Sequence, residues 1–217
     1  MKAYDNTIIV FTSDHGDLLC GHGGMQQKWF QAYDESIHVP LIISSPLLNN
    51  EHNDIHELTS HIDLLPTFLD MAGIDSNLIR KQLSNKFSLA VPLSGSSIFP
   101  LIINKPYKSR PVYFYTEDDI TSGSNQINAL GQSYNSMDQP SCVEAIIVHL
   151  NGQLWKYTEY YSLDTLFIDT GIRNELYNIS ADPLELNNLH NKDDIEPQLH
   201  NLLLYHSLKY RGLRNFV

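Results

Sequence analysis

Asn6-Thr-Ile-Ile-Val-Phe-Thr-Ser-Asp-His-Gly-Asp17 joins an apolar run directly to an acid and an imidazole. Ile8, Ile9, Val10 and Phe11 form the β-branched and aromatic run of a strand buried on both faces, which predicts Asp14 and His15 at its carboxyl end. Ligands gather at that edge in open α/β sheets. A charged Asp at the edge of a core requires a partner, and a carboxylate oxygen beside an imidazole nitrogen suits a divalent cation. Taken alone, Asp-His-Gly is equally a turn in which Asp14 caps the following segment. The residues that come next decide between the two.

The chain continues as Gly21-His-Gly-Gly-Met-Gln-Gln-Lys28 and then Tyr33-Asp-Glu-Ser-Ile-His-Val-Pro-Leu-Ile-Ile-Ser44. This stretch resembles the sulfatase family of the alkaline-phosphatase-like superfamily, which includes arylsulfatases, choline sulfatases and phosphonate hydrolases. Family members carry a strand ending in Ser-Asp-His-Gly, a loop bearing Gly and His, a Lys, and an acidic turn into a Val-Pro-Leu-Ile strand. The resemblance runs on through His61-Ile-Asp-Leu-Leu-Pro-Thr-Phe-Leu-Asp-Met-Ala-Gly-Ile74 and Gly95-Ser-Ser-Ile-Phe-Pro-Leu101. It ends with Glu175-Leu-Tyr-Asn-Ile-Ser-Ala-Asp-Pro-Leu-Glu-Leu-Asn-Asn-Leu189.

The resemblance implies an α/β fold: a partial alkaline-phosphatase-like sheet with flanking helices, plus a small C-terminal antiparallel β lobe with a helix. It also implies a sulfate-ester hydrolase in which Asp14 and His15 are metal ligands and Lys28 contacts the sulfate of a small anionic ester. The family's nucleophile is a formylglycine made from the first residue of a Cys- or Ser-x-Pro-Ser-Arg motif. That motif, and the aspartate pair that completes the metal site, belong to the family's N-terminal half. Cys20 is followed by Gly-His-Gly and Cys142 by Val-Glu-Ala, so neither matches. The chain therefore reads as a C-terminal fragment or split gene product, with its activity in isolation in doubt. A second reading is a phosphonate or phosphodiester hydrolase of the same superfamily. A third is an inactive, truncated metal-binding or interaction module.

With 217 residues, 42% of them hydrophobic, the chain has enough apolar material for one domain, or for one domain and a small lobe. Its apolar runs fall far short of the ~20 residues that span a bilayer, so no transmembrane segment is expected. No charged stretch followed by an apolar one marks a signal peptide, and the compartment stays open. A formal charge of -11 argues against nucleic acid as a partner. It also means that an anionic substrate depends on locally placed cations. Two cysteines far apart give neither a disulfide framework nor zinc spacing.

Residues 7–12 and 39–44 read as strands, and 61–73 as a helix with Leu64, Leu65, Phe68, Leu69 and Ala72 on one face. Ser60 or Asp63 suits the cap of that helix, Pro66 its first turn and Gly73 its stop. A short helix is expected at 96–103 and a strand at 111–116. These elements make residues 1–116 the C-terminal part of an α/β catalytic domain. Residues 117–141 form a long polar loop, and 142–217 a small α+β subdomain. In that subdomain Asn151-Gly152 predicts a hairpin between strands 143–150 and 153–160. A third strand follows at 175–179. The last helix covers 195–209, with Ile195, Leu199, Leu202, Leu203 and His206 on one face.

Several side chains carry candidate chemistry. Carboxylate ligands favour calcium, while the imidazole of His15 keeps manganese and zinc open. Lys28 offers a compact positive charge to an oxyanion. His22 stands either as a substrate-binding or acid group or as a loop brace. Asp34 and Glu35 read as structural, holding the turn through side-chain to backbone bonds, and His38 as structural too. The histidines at 52, 56, 61, 149, 190, 200 and 206 show no ligand spacing, and Asn178-Ile-Ser180 fits a glycosylation sequon.

Overall fold

The protein is described from a computed structural model covering residues 4–25, 28, 30–46, 48, 52–88, 90–117, 140–161 and 173–211. Its chain divides into two compact units, one drawn from Met1–Phe11 and Leu41–Val112, the other from Thr12–Pro40 and Tyr113–Val217. The segment 12–40 thus packs with the C-terminal part of the chain. No described helix is long and apolar enough to cross a membrane.

In the first unit, β1 (Ile9–Thr12) and β2 (Leu41–Ser44) form a two-stranded sheet. The expected burial on both faces is not observed: Ile9, Phe11 and Ile42 are 49%, 59% and 58% exposed. Each strand pairs only with the other among the described residues, so alternate side chains meet no second layer. An apolar run signals the need for cover without saying where the cover comes from.

Downstream, the turn His61–Asp63 leads into α2 (Leu64–Met71), following the one-turn helix α1 (Asp34–Ile37) of the second unit. Ser60 and Asp63 cap the turn reciprocally. Gly73, at φ 69°, ends α2 in the left-handed conformation that glycine adopts without strain. The expected apolar face requires correction, because Asp63, Pro66 and Thr67 are the buried residues while Leu65 and Phe68 are exposed. Asp63 sets that rotation: its carboxylate accepts from Ser60 N (2.9 Å) and Ser96 N (2.8 Å) and pairs with Arg110. Thr67 adds a bond to Asp63 O at 2.6 Å and accepts from Ile98 N at 3.0 Å. Buried polar groups hold their orientation because an unmade bond there is costly. Helix α3 (Ser76–Leu83), capped by Asp75, has no counterpart in the sequence reading. Helix α4 (Phe99–Ile102) falls inside the expected 96–103.

The second unit is built on a four-stranded sheet ordered β3 (Val112–Glu117), β4 (Cys142–Leu150), β5 (Gln153–Tyr161), β6 (Arg173–Asn178). The strand expected at 111–116 thus pairs in this sheet rather than in that of β1 and β2. Residues 118–139 of the expected polar loop lie outside the described residues. Asn151 (φ 52°) and Gly152 (φ 78°) are both left-handed, as a two-residue I′ turn requires, and β4 and β5 pair antiparallel from Leu150↔Gln153 outward.

Register places Ile146, Tyr157 and Leu176 in one cross-strand row. With Val148 and Trp155, these residues form the core against Leu199 and Leu203 of α5 (Glu196–Arg211). The adjacent rows point to the opposite face and contain Thr158 with Glu175, and Lys156 with Tyr177. That second face receives the segment from Gln31 to His38.

Candidate metal and anion site at the end of β1

Strand β1 stops at Thr12, and Asp14 and His15 follow it directly. Asp14 Oδ1 accepts from the backbone N of His15 at 3.0 Å, and Oδ2 lies 3.4 Å from His15 Nε2. His15 Nδ1 is 2.7 Å from Gly16 O. A carbonyl can only accept, so Nδ1 carries the proton and Nε2 presents its lone pair beside the carboxylate. Two donors bound in adjacent positions at about 2.3 Å from one ion stand about 3.3 Å apart, close to the separation found here. The pair therefore fits two ligands of one divalent ion, with Gly16 O fixing the imidazole tautomer from behind. The Asp14 side chain is solvent-exposed. The His15 N–H, opposed by some desolvation, holds its carboxyl below the usual range, and the His15 ring and the Lys28 ammonium add to the effect.

Gly16 fixes where this pair sits. Its N–H donates to Ser36 O at 2.9 Å, and a Cβ on it would lie 1.9 Å from Glu35 O. Only a glycine lets α1 approach so closely. Between the two elements runs a tight loop in which Leu19, Cys20 and His22 all have positive φ. Asp17 Oδ1 accepts from Leu19 N at 2.8 Å, and Cys20 N bonds to Met25 O at 3.0 Å. Lys28 is half-buried beyond this loop.

His22 is nearly enclosed. Its ring stacks on Tyr33 at 3.7 Å with the planes 10° apart, and its Nε2 meets Glu35 Oε2 at 3.2 Å. The carboxylates of the 34–35 turn bond to side chains rather than to the backbone, which corrects the sequence expectation. Glu35 takes His22. Asp34 takes His38 Nδ1 at 2.9 Å and Lys156 Nζ at 3.3 Å. Burial pushes the Asp34 carboxyl up, but the bonds from His38 and Lys156 outweigh it and the net direction is down; Asp34 in turn raises His38.

Three residues beneath the loop escaped the sequence reading. Glu185, wholly buried, accepts from Asp34 N at 2.7 Å and pairs with the buried Lys156 at 2.5 Å. Burial raises its carboxyl, with Lys156 opposing. Glu175 accepts from Tyr33 OH at 2.9 Å and Tyr160 OH at 2.6 Å. Burial, and then the Glu175 charge, push the Tyr33 phenol well above its ordinary range, so it serves as a donor. Both glutamates stand in the 175–189 stretch quoted above, which was the available signal, whereas nothing in sequence marks Lys156. His22, Glu35 and Glu185 bring ligand atoms within 4.8 Å of one another. Glu185 is already matched to Lys156, so this group is closed as an ion-pair network rather than open for a cation. The two cysteines are free, Cys20 exposed and Cys142 buried.

The strand pair with its helices and the antiparallel lobe make this a mixed α/β chain, similar in fold to solved sulfatases. A profile of the Sulfatase family matches residues 2–74. Arylsulfatase K of Mus musculus is 28% identical over 183 residues, covering 84% of this chain and 27% of that protein. The solved structure of BT4656 in complex with its substrate D-glucosamine-2-N,6-O-disulfate aligns at TM-score 0.59 and 26% identity, over 97% of this chain and 36% of that one. A phosphonate monoester hydrolase of Agrobacterium radiobacter aligns at TM-score 0.61 and 25% identity, over 98% and 36%. The chain is thus similar to sulfatases, in the profile over residues 2–74 and in relatives aligned over most of its length. It spans 27% of the length of the curated relative and 36% of each solved chain.

Proposed function

We propose that this chain contributes half of a metal site and an anion-binding lysine to a sulfuric ester hydrolase acting on small sulfated molecules. The observation that carries the reading is the Asp14 Oδ2 to His15 Nε2 separation of 3.4 Å at the end of β1, with Nδ1 committed to Gly16 O. Asp14 and His15 would hold the divalent ion, which when bound polarises the ester oxygens as a Lewis acid. Calcium suits the carboxylate, while the imidazole also admits manganese or zinc. Lys28 supplies fixed positive charge for the sulfuryl oxygens, where a preorganised cation acts on developing negative charge. His22, tied to Glu35 and stacked on Tyr33, shapes the loop that carries Lys28.

Sulfated sugars are the favoured substrate class, because the relative solved with D-glucosamine-2-N,6-O-disulfate aligns over nearly this whole chain. The phosphonate monoester hydrolase aligns equally far, so phosphonate esters are the second reading. The test is calorimetric titration of the chain with calcium, manganese and zinc. Two protein ligands leave the remaining positions to water, so weak binding is expected, with dissociation constants on the order of 0.1–1 mM, lost in Asp14→Ala. Tight binding that survives Asp14→Ala refutes the assignment.

A further inference from the structure

Between Ser76 and Thr116 the sequence contains Arg80, Lys81, Lys86, Lys105, Lys108 and Arg110 but no Asp or Glu. Six of the fourteen basic side chains therefore fall in this one stretch, leaving eight against all twenty-five acidic ones elsewhere. Arg110 is taken by Asp63. The other five are exposed, and none forms an ion pair among the described residues.

Helix α3 lies at the centre of this stretch. Leu78, Ile79 and Leu83 occupy one arc of its wheel, while Arg80 and Lys81 occupy the other. An amphipathic helix ordinarily buries its apolar arc, yet every residue from 77 to 88 is exposed. Leu78 is 54% and Phe87 60% exposed, and Val91 and Leu93 continue the apolar surface. Unburied aliphatic and aromatic side chains interleaved with unpaired cations match a helix that lies in a lipid interface, with its apolar arc among the acyl chains and its cations at the headgroups. A sulfated polysaccharide would use the cations but leave Leu78, Ile79, Leu83 and Phe87 in water.

We propose that α3, with the exposed side chains of Lys86, Phe87, Val91, Leu93, Lys105 and Lys108 that follow it, docks this protein on an anionic phospholipid surface. The attachment is peripheral. The -11 net charge does not prevent it, because charges beyond a Debye length of about 10 Å at 0.1 M ionic strength are largely screened and the approaching face is basic. Each Lys or Arg near such a surface strengthens partitioning roughly fivefold.

The test is co-sedimentation of the full chain with phosphatidylcholine vesicles, with and without phosphatidylserine. Binding is expected only with phosphatidylserine and should weaken as ionic strength rises. The triple variant Arg80→Glu/Lys81→Glu/Lys86→Glu should lower it on the order of a hundredfold. Phe87→Ser, which removes the apolar anchor and no charge, should weaken it at least several-fold at any ionic strength. Both variants alter exposed side chains, and unchanged urea midpoints will verify that they fold. Equal binding to both vesicle types, or binding untouched by the triple variant, overturns the proposal. Retention on immobilised heparin without vesicle binding also overturns it, in favour of a sulfated polymer. Loss of metal binding in Asp14→Ala, which lies outside this stretch, leaves these outcomes unchanged.

Discussion

Gly16 does more for the candidate site than its lack of a side chain suggests, because it lets the backbone carrying His15 lie against Glu35 and Ser36. A Cβ there, 1.9 Å from Glu35 O, meets backbone rather than a side chain that can swing away. Gly16→Ala is therefore expected to destabilise the protein by about 1–3 kcal/mol, the usual cost of overpacking. Divalent affinity should fall with it, because His15 Nδ1 is anchored to Gly16 O itself. A urea-denaturation midpoint and a calcium titration on the same sample check both, and an unchanged midpoint would show that α1 can retreat without penalty. At this scale the sequence was informative about identity and less so about partners. Asp14, His15 and Lys28 were chosen as candidates from their order in the chain alone. The pairing of Glu35 with His22, and of Asp34 with Lys156, depends on which residues the sheet brings underneath, and no local pattern encodes that.

Elements with a local signature were the most legible. The Asn151-Gly152 hairpin follows from the only residues that enter two left-handed positions cheaply, and the turn before α2 follows from Ser60 and Asp63 three positions apart. Burial was less legible. Apolar spacing placed Leu65 and Phe68 inward, but the fully buried Asp63 turned the helix the other way. The link between β5 and α1 was not legible at all, because Lys156 and Glu185 are remote from the 34–38 turn in sequence. Their pairing predicts a strong coupling. Glu185→Ala leaves the buried Lys156 ammonium with only Asp34 and removes the acceptor of Asp34 N, so a loss of about 3–5 kcal/mol is expected. Lys156→Met/Glu185→Leu, which removes both charges, should recover a good part of that loss by the same reasoning. Denaturant unfolding of the single and double variants checks this. Equal losses in both would mean that the backbone bond to Asp34, rather than the charge pair, governs the turn.

For the molecule as a whole, the question is how much of a reaction these residues can perform. In the proposed function, Asp14 and His15 hold the ion and Lys28 helps to orient an anion. Cleavage of a sulfate ester also requires an attacking group, and neither Cys20 nor Cys142 lies in a motif that yields one. The 217-residue chain assayed alone is therefore expected to show no metal-dependent turnover of an aryl sulfate or an aryl phosphonate above the water rate. Joining it to the N-terminal portion of a sulfatase relative should return activity. In that joined enzyme Lys28→Ala should lower kcat and kcat/KM together, since a cation that acts on charge developing in the transition state leaves ground-state binding largely intact. A rise in KM alone would instead make Lys28 a ground-state contact. Turnover by the unassisted chain that vanishes in Asp14→Ala would be the more serious result. It would mean that water activated at the Asp14–His15 pair suffices, and that the site described here is a whole one rather than a half.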